Sequence, residues 1–234
     1  MNAVLTMTDL VKSFPQPGGG SLLVLEVPTF EIALGEQVAL IGQSGGGKTT
    51  LLHLIAGLLV PDSGSILLDG IETTKRSEEG RDRIRASKLG YVFQTFNLLP
   101  AFSAIENVRL GMTFGSGQRD PGRAMHLLDR VGLADRANYR PSQLSVGQQQ
   151  RVAIARALAG SPRLLLADEP TANVDPASAA TVLELIHHTC REEQVALLTV
   201  THNMEIAAQY DRIDELDKIN LALASTHSSS ANPQ

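Results

Sequence analysis

An α/β fold with a mostly parallel sheet is what this sequence predicts, on three observations. Three short apolar, β-favouring runs, Val38–Ile41, Leu164–Ala167 and Val195–Val200, read as strands buried on both faces. Helical segments alternate with them, one from Lys48 to about Leu59, one over Gln148–Leu158 and one over Pro176–Glu193. That alternation calls for parallel strands joined by crossover helices. Finally, 43% of the 234 residues are apolar and 19% charged, which is enough material for a packed core.

The elements follow in order. Val4–Leu10 alternates loosely and reads as a strand, and Pro15-Gln-Pro-Gly-Gly-Gly-Ser21 is a long turn signal. Leu22–Leu25 and Phe30–Leu34 resume strand character, so two or three antiparallel strands are expected at the N-terminus. Pro61 stops the helix that starts at Lys48. Ser63-Gly64 turns the chain into Ile66–Leu68, and Asp69-Gly70 is a hairpin signal. Arg76–Lys88 is densely charged and reads as a solvated helix. Tyr91–Phe93 is a short strand. From Ile105 to Leu133 the apolar spacing is helical, interrupted by a loop over Gly115–Gly122. His187, His188 and Cys190 share one predicted helix, but no further ligands lie nearby in sequence. After Leu223 the chain is polar, and residues 224–234 are expected to be a disordered tail.

Composition excludes several function classes. Lys and Arg number 20 against 25 Asp and Glu, a formal net charge of −5, so no nucleic-acid coat is expected. Aromatics are 4% and Trp is absent, which removes base-stacking platforms. The single cysteine, Cys190, excludes an intrachain disulfide and fits a reducing compartment. The start of the chain carries no basic and apolar leader pattern, and the longest apolar run, Leu51–Val60, falls short of the roughly 20 residues a bilayer requires. A cytoplasmic protein is expected, with any membrane part supplied by another chain.

Gly42-Gln43-Ser44-Gly45-Gly46-Gly47-Lys48-Thr49 matches G-x-x-x-x-G-K-[ST] in full, between a buried strand and a helix. Glycines let the backbone curl so that successive N–H groups and the helix N-terminus converge on phosphate oxygens. Lys48 adds a point charge at the β- and γ-phosphates, the Thr49 hydroxyl is a Mg²⁺ ligand, and Thr50 reaches a further phosphate oxygen. A nucleoside triphosphate, ATP, with Mg²⁺ is the expected ligand.

Leu164–Ala167 ends in Asp168-Glu169-Pro170. Ligand crevices in open α/β sheets lie beyond the carboxyl ends of strands. Asp168 is placed to face Mg²⁺, and Glu169, pointing differently, to accept a proton from an attacking water. Leu144-Ser145-Val146-Gly147-Gln148 precedes another helix, with Ser145 as N-cap, and forms a second anion-binding helix terminus. One nucleotide needs one cradle. A second cradle without a lysine of its own points to a phosphate shared between two chains.

On these motifs the sequence resembles the ATP-binding-cassette ATPases over about residues 3–216. Three more segments carry the resemblance: Gln94 after Tyr-Val-Phe, Ala172-Asn-Val-Asp175, and His202 in Val-Thr-His-Asn. It implies a P-loop NTPase core with a mostly parallel sheet, an N-terminal antiparallel β-subdomain, and a helical subdomain at about residues 95–157 inserted into a single domain spanning 1–223. It implies that Phe14 stacks on adenine and that Gln94 senses Mg²⁺ and the attacking water. Ser145, Gly147 and Gln148 would meet the nucleotide of the opposite subunit, Asp175 would communicate across the dimer, and His202 would contact the γ-phosphate and position Glu169. Two ATP molecules would lie between two copies of the chain in a two-fold homodimer.

Gln94–Pro100, Phe102–Val108 and Arg140–Leu144 resemble the group that serves lipoprotein-releasing and macrolide-exporting systems. That group implies an integral membrane permease as partner, met at the apolar stretch Phe96–Phe102, and a location on the inner face of the cell membrane. A periplasmic adaptor and an outer-membrane channel would follow indirectly. The alternative is a non-transport cassette ATPase acting in cell-wall remodelling or iron–sulfur assembly. DNA-repair and translation types are disfavoured, because only about fifty residues separate Gln94 from Leu144 and one cassette is present. The chain departs from the family pattern at Val146, where glycine is usual. The backbone N–H survives, but a β-branched side chain must fit beside the opposing nucleotide.

Overall fold

A computed structural model of the chain describes residues 3–113, 120 and 122–223. Two compact units emerge. One combines the stretch up to Arg81 with the stretch from Val200 onward, and the other runs Asp82–Thr199.

The first unit opens with β1 (Ala3–Pro15) and β2 (Ser21–Ala33), paired antiparallel. The runs Leu22–Leu25 and Phe30–Leu34 belong to one continuous strand, within the two or three antiparallel strands expected. Pro28 does not break it because β2 lies at the sheet edge, where a missing N–H loses no ladder bond. Opposite it, Asp9 takes φ +48° while the register runs unbroken from Thr8↔Thr29 to Leu10↔Val27. β3 (Gln37–Ile41) is buried almost throughout and feeds the glycine-rich loop. α1 (Lys48–Ile55) is shorter than expected. Gly57, at φ +66°, turns the chain, and the Leu58 and Leu59 N–H groups fold back onto the His53 carbonyl. β4 (Ser63–Leu68) and β5 (Ile71–Glu72) form the predicted hairpin, with Asp69 and Gly70 both at positive φ. The antiparallel sheet has the order β2-β1-β4-β5, and its inward face supplies Leu5, Met7, Leu25, Ile32, Ile66 and Leu68 to the core.

α2 (Glu78–Lys88) leads into the second unit and buries no residue, as its charge density predicts. β6 (Leu89–Val92) pairs in parallel with β7 (Leu164–Asp168) and stops before Phe93. Between them lie α3 (Ala104–Thr113), α4 (Arg123–Arg130) and α5 (Val146–Leu158). Most of the loop expected over Gly115–Gly122 lies outside the described residues. α6 (Pro176–Glu192) follows, then β8 (Ala196–Thr201), next to β7 in the sheet.

Back in the first unit come α7 (Met204–Ala207), β9 (Arg212–Glu215) and α8 (Leu216–Ile219), none of them anticipated. β9 pairs in parallel with β3, its Arg212 held by Glu36 at 2.9 Å and Asp214 at 2.7 Å. Just beyond α8, fully buried Asn220 accepts from the Glu26 N–H at 2.8 Å and donates to the Val24 carbonyl at 2.9 Å. It ties the end of the described chain to β2. The expected disordered tail lies outside the described residues.

No helix among the described residues is long and apolar enough to cross a membrane, and none of them form a metal-binding cluster of His, Cys, Asp or Glu. Cys190 is buried in α6, and burial, with a smaller effect from Glu193, pushes its thiol up to about 12. The thiolate is the reactive form. Native protein at neutral pH is therefore expected to resist a thiol-specific reagent until denaturant exposes Cys190. Stoichiometric labelling at the rate of a free thiol would refute this.

Candidate functional site

The phosphate loop is built by the strand before it and the sheet beside it. β3 delivers Gly42 directly after its last residue, Ile41, and Gly45 and Gly47 turn at φ +80° and +97°. A side chain at Gly47 would stand 3.0 Å from the Leu25 Cδ2 and 3.2 Å from the Val24 Cγ1, so only glycine lets the loop lie against β2. The segment tied down by Asn220 thus backs the loop. No side chain caps α1 at Gly47, and no acidic residue occupies its first turn. The positive end of the helix dipole is left for an anion. Lys48 is 8% exposed, and its Nζ donates to the carbonyls of Gly42 and Gln43, both at 2.8 Å. An ammonium has three donors, so one remains for a phosphate oxygen.

His202 belongs to the same unit and the same cavity. A space of about 320 Å³ beside the loop is lined by Ile41, Gly42, Gln43, His202, Met204, Glu215 and Asp217. The turn that presents His202 is fixed by Asn203. Its N–H donates to the Thr201 hydroxyl at 3.1 Å, and its side chain accepts from the N–H groups of Glu205 and Ile206. Phe14 sits at the end of β1 with the Lys12 ammonium 5.5 Å from its ring centroid. Lys12 is in turn held by Asp62 at 2.9 Å, and Asp62 accepts from the Ser13 N–H at 2.6 Å. These bonds, that of Lys12 foremost, hold the Asp62 carboxyl below its usual range.

The second unit carries the carboxylates. β7 is wholly buried and delivers Asp168, 8% exposed, at its end. Tyr91 on the neighbouring strand has its hydroxyl pKa raised, first by burial and then by the Asp168 charge. Glu169 comes next, partly exposed and at φ +45°. A non-glycine residue held in the left-handed region costs about 1–3 kcal/mol and persists where its surroundings over-determine it. The Ala172 N–H closes the turn onto the Glu169 carbonyl at 3.1 Å.

Gln94 has an exposed side chain, and its carbonyl accepts from the Asn173 amide at 2.8 Å. The loop after it is held by Arg156, whose guanidinium donates to the carbonyls of Phe96 at 2.8 Å and Asn97 at 2.5 Å. Asn173 and Arg156 escaped the sequence reading, since hydrogen bonds to distant backbone leave no spacing to detect.

Ser145 caps α5 reciprocally with Gln148: the Gln148 N–H donates to the Ser145 hydroxyl at 3.3 Å, and the Gln148 Oε1 accepts from the Ser145 N–H at 2.9 Å. Ser145 is exposed, and so is Val146, at 47%. The Val146 side chain therefore finds room on its own chain. Gly147 lies close to α6, where a Cβ would stand 3.3 Å from that of Ser178. Asp175 caps α6 by accepting from the Ser178 N–H at 3.0 Å, which gives it a structural duty of its own.

Comparison with known proteins supplies the family. The family model of the ABC transporters matches residues 25–172. The lipoprotein-releasing system ATP-binding protein LolD 2 of Caulobacter vibrioides is 48% identical over 206 residues, covering 87% of this chain and 90% of its own. The LolD protein of Hyphomonas neptunium is 42% identical, covering 91% of this chain and 94% of its own. Among solved structures, the ATP-binding cassette MJ0796, a dimer in a post-hydrolysis state bound to ADP and Pi, is 35% identical with a TM-score of 0.81, covering 90% of this chain and 93% of its own. From its phosphate loop to its buried carboxylate strand, this chain belongs to the ABC transporter family, as an ATP-binding and ATP-hydrolysing subunit.

Proposed function

We propose that this chain is the energy-coupling subunit of a lipoprotein-releasing type of membrane permease, working as a homodimer that closes on two ATP molecules. The observation that carries the reading is the exposed N-terminus of α5, capped at Ser145 and without a lysine of its own. A single chain already has one complete phosphate cradle at Gly42–Thr50. The relatives named for lipoprotein release supply the direction of the work.

In this reading the nucleotide stacks its base on Phe14. Gly42, Gln43, Ser44, Gly45, Gly46, Gly47, Lys48, Thr49 and Thr50 enclose its phosphates. Ser145, Gly147 and Gln148 of one copy complete the γ-phosphate shell of the other, and Asp175 communicates across the dimer. Thr49, Gln94 and Asp168 would hold Mg²⁺, which supplies charge neutralisation at the β- and γ-phosphates. The donors suit that ion: hard oxygens with a single carboxylate, the remainder coming from nucleotide and water. Glu169 takes a proton from the attacking water as its oxygen bonds to the γ-phosphorus. The bond to the β-phosphate oxygen breaks, leaving ADP and phosphate. His202 stabilises the γ-phosphate and orients Glu169. Loss of the bridging contacts then opens the dimer.

The permease would meet the second unit around Phe96–Phe102. A cavity of about 510 Å³ opens there, lined among others by Tyr91, Phe93, Asn97, Leu99, Leu110 and Arg156. Leu99 and Phe102 are exposed, as a helix-in-groove contact requires. The protein would thus sit on the inner face of the cell membrane through its permease, with an adaptor and an outer-membrane channel engaged indirectly. Affinity isolation of the tagged chain from detergent-solubilised membranes, with identification of what accompanies it, tests this. An integral membrane permease in stoichiometric amount is expected. Recovery with iron–sulfur assembly or division proteins and no permease would overturn it.

A further inference from the structure

Gln150 is fully buried on α5, along the stripe that continues through Ala153, Ile154 and Leu158. A leucine or methionine would satisfy that stripe. Among the described residues the amide there makes one hydrogen bond, from Nε2 to the Pro170 carbonyl at 2.6 Å, while its buried Oε1 accepts from none of them. Buried polar groups are ordinarily fully paired, and a half-paired amide is worse than an apolar isostere for packing alone. What this side chain contributes is its donor.

The donor's target is informative. Pro170 follows Glu169, whose backbone sits at φ +45°. Proline offers no N–H, so its carbonyl is the one polar backbone group of residue 170 by which the turn can be held. From within the turn, the Ala172 N–H bonds to the Glu169 carbonyl. From outside it, only Gln150 bonds to the Pro170 carbonyl among the hydrogen bonds described. The same helix begins at Ser145.

We infer that Gln150 is a positioning residue for hydrolysis: its amide, fixed on the helix that starts at Ser145, holds the Glu169–Pro170 turn so that the carboxylate keeps its working orientation. The inference rests on the reading of Glu169 as proton acceptor. Engagement of α5 at its N-terminus and placement of Glu169 are then mechanically one event within each chain.

The test compares ATP turnover, ATP affinity and melting temperature for Gln150→Met, Gln150→Glu and Glu169→Gln in the full chain. Gln150→Met removes the donor and keeps the length. It should lower kcat about tenfold, less than the roughly 10²-fold minimum for losing a general base outright, with KM changed less than about twofold. Gln150→Glu buries a carboxyl whose pKa burial raises, and only its protonated form donates. Its turnover relative to wild type should rise as pH falls from about 8 to about 6, which a packing role would not produce. Gln150→Met with wild-type kcat, or a loss that tracks melting temperature without the acid rescue in Gln150→Glu, overturns the inference. If Gln150→Met does not fold, the pH response of Gln150→Glu decides. Glu169→Gln separates the two layers. If it still hydrolyses ATP, the base assignment fails and this inference with it. If it is inert while Gln150→Met turns over normally, the inference alone fails.

Discussion

Glu169→Gln is expected to bind ATP as the wild type does and to lose about 10²–10⁴-fold in turnover, the usual contribution of a positioned general base. The substitution keeps the size and shape of the side chain at the end of β7. It leaves Asp168 untouched, together with the turn closed by the Ala172 N–H. What disappears is the basic carboxylate proposed to take a proton from water. In the proposed cycle the dimer opens only when the γ-phosphate is severed, so the variant should also accumulate as a dimer in ATP. Phosphate release and size-exclusion chromatography read the two effects. Rapid phosphate release would refute the assignment of the base, and slow release without dimer accumulation would refute the shared-phosphate clamp.

Lys48→Ala acts one step earlier. Its ammonium holds the Gly42 and Gln43 carbonyls at 2.8 Å while keeping one donor for phosphate. Removing it deletes a charge-assisted bond to the nucleotide and also releases the loop that shapes the cradle. A hydrogen bond to a charged group contributes about 1.5–3 kcal/mol, so ATP affinity should fall by on the order of 10–100-fold. The defect lies in binding, so raising ATP should recover part of the turnover of Lys48→Ala and none of that of Glu169→Gln. Calorimetric titration with ATP checks the first point. Unchanged affinity would remove Lys48 from the site.

The parts legible in the sequence were those whose physics is local. The phosphate loop is a pattern of glycines that let the backbone curl, followed at once by the helix it feeds. Gly45 and Gly47 take the positive φ such a loop demands. The capping of α5 by Ser145 spans three residues, and the Asp69-Gly70 hairpin two. Apolar runs marked β3, β7 and β8 because a strand buried on both faces has no polar alternation. Element ends were less legible than their cores. α1 ends at Ile55, earlier than Pro61 suggested, because Gly57 already turns the chain.

By itself, then, the sequence determined the fold class and the ATP chemistry of the family, and it supplied the residues proposed to hold the nucleotide, because each motif is contiguous and its geometry follows from backbone rules acting over a few residues. Only the tertiary structure decided how those motifs are held. Asn173 reaches the Gln94 carbonyl across 79 residues, Arg156 that of Phe96 across 60, and Asn220 the edge of β2 across 196. Such bonds join a side chain to whatever backbone the fold carries past it. Backbone carbonyls are alike at every position, so no residue type at the far end advertises the partner.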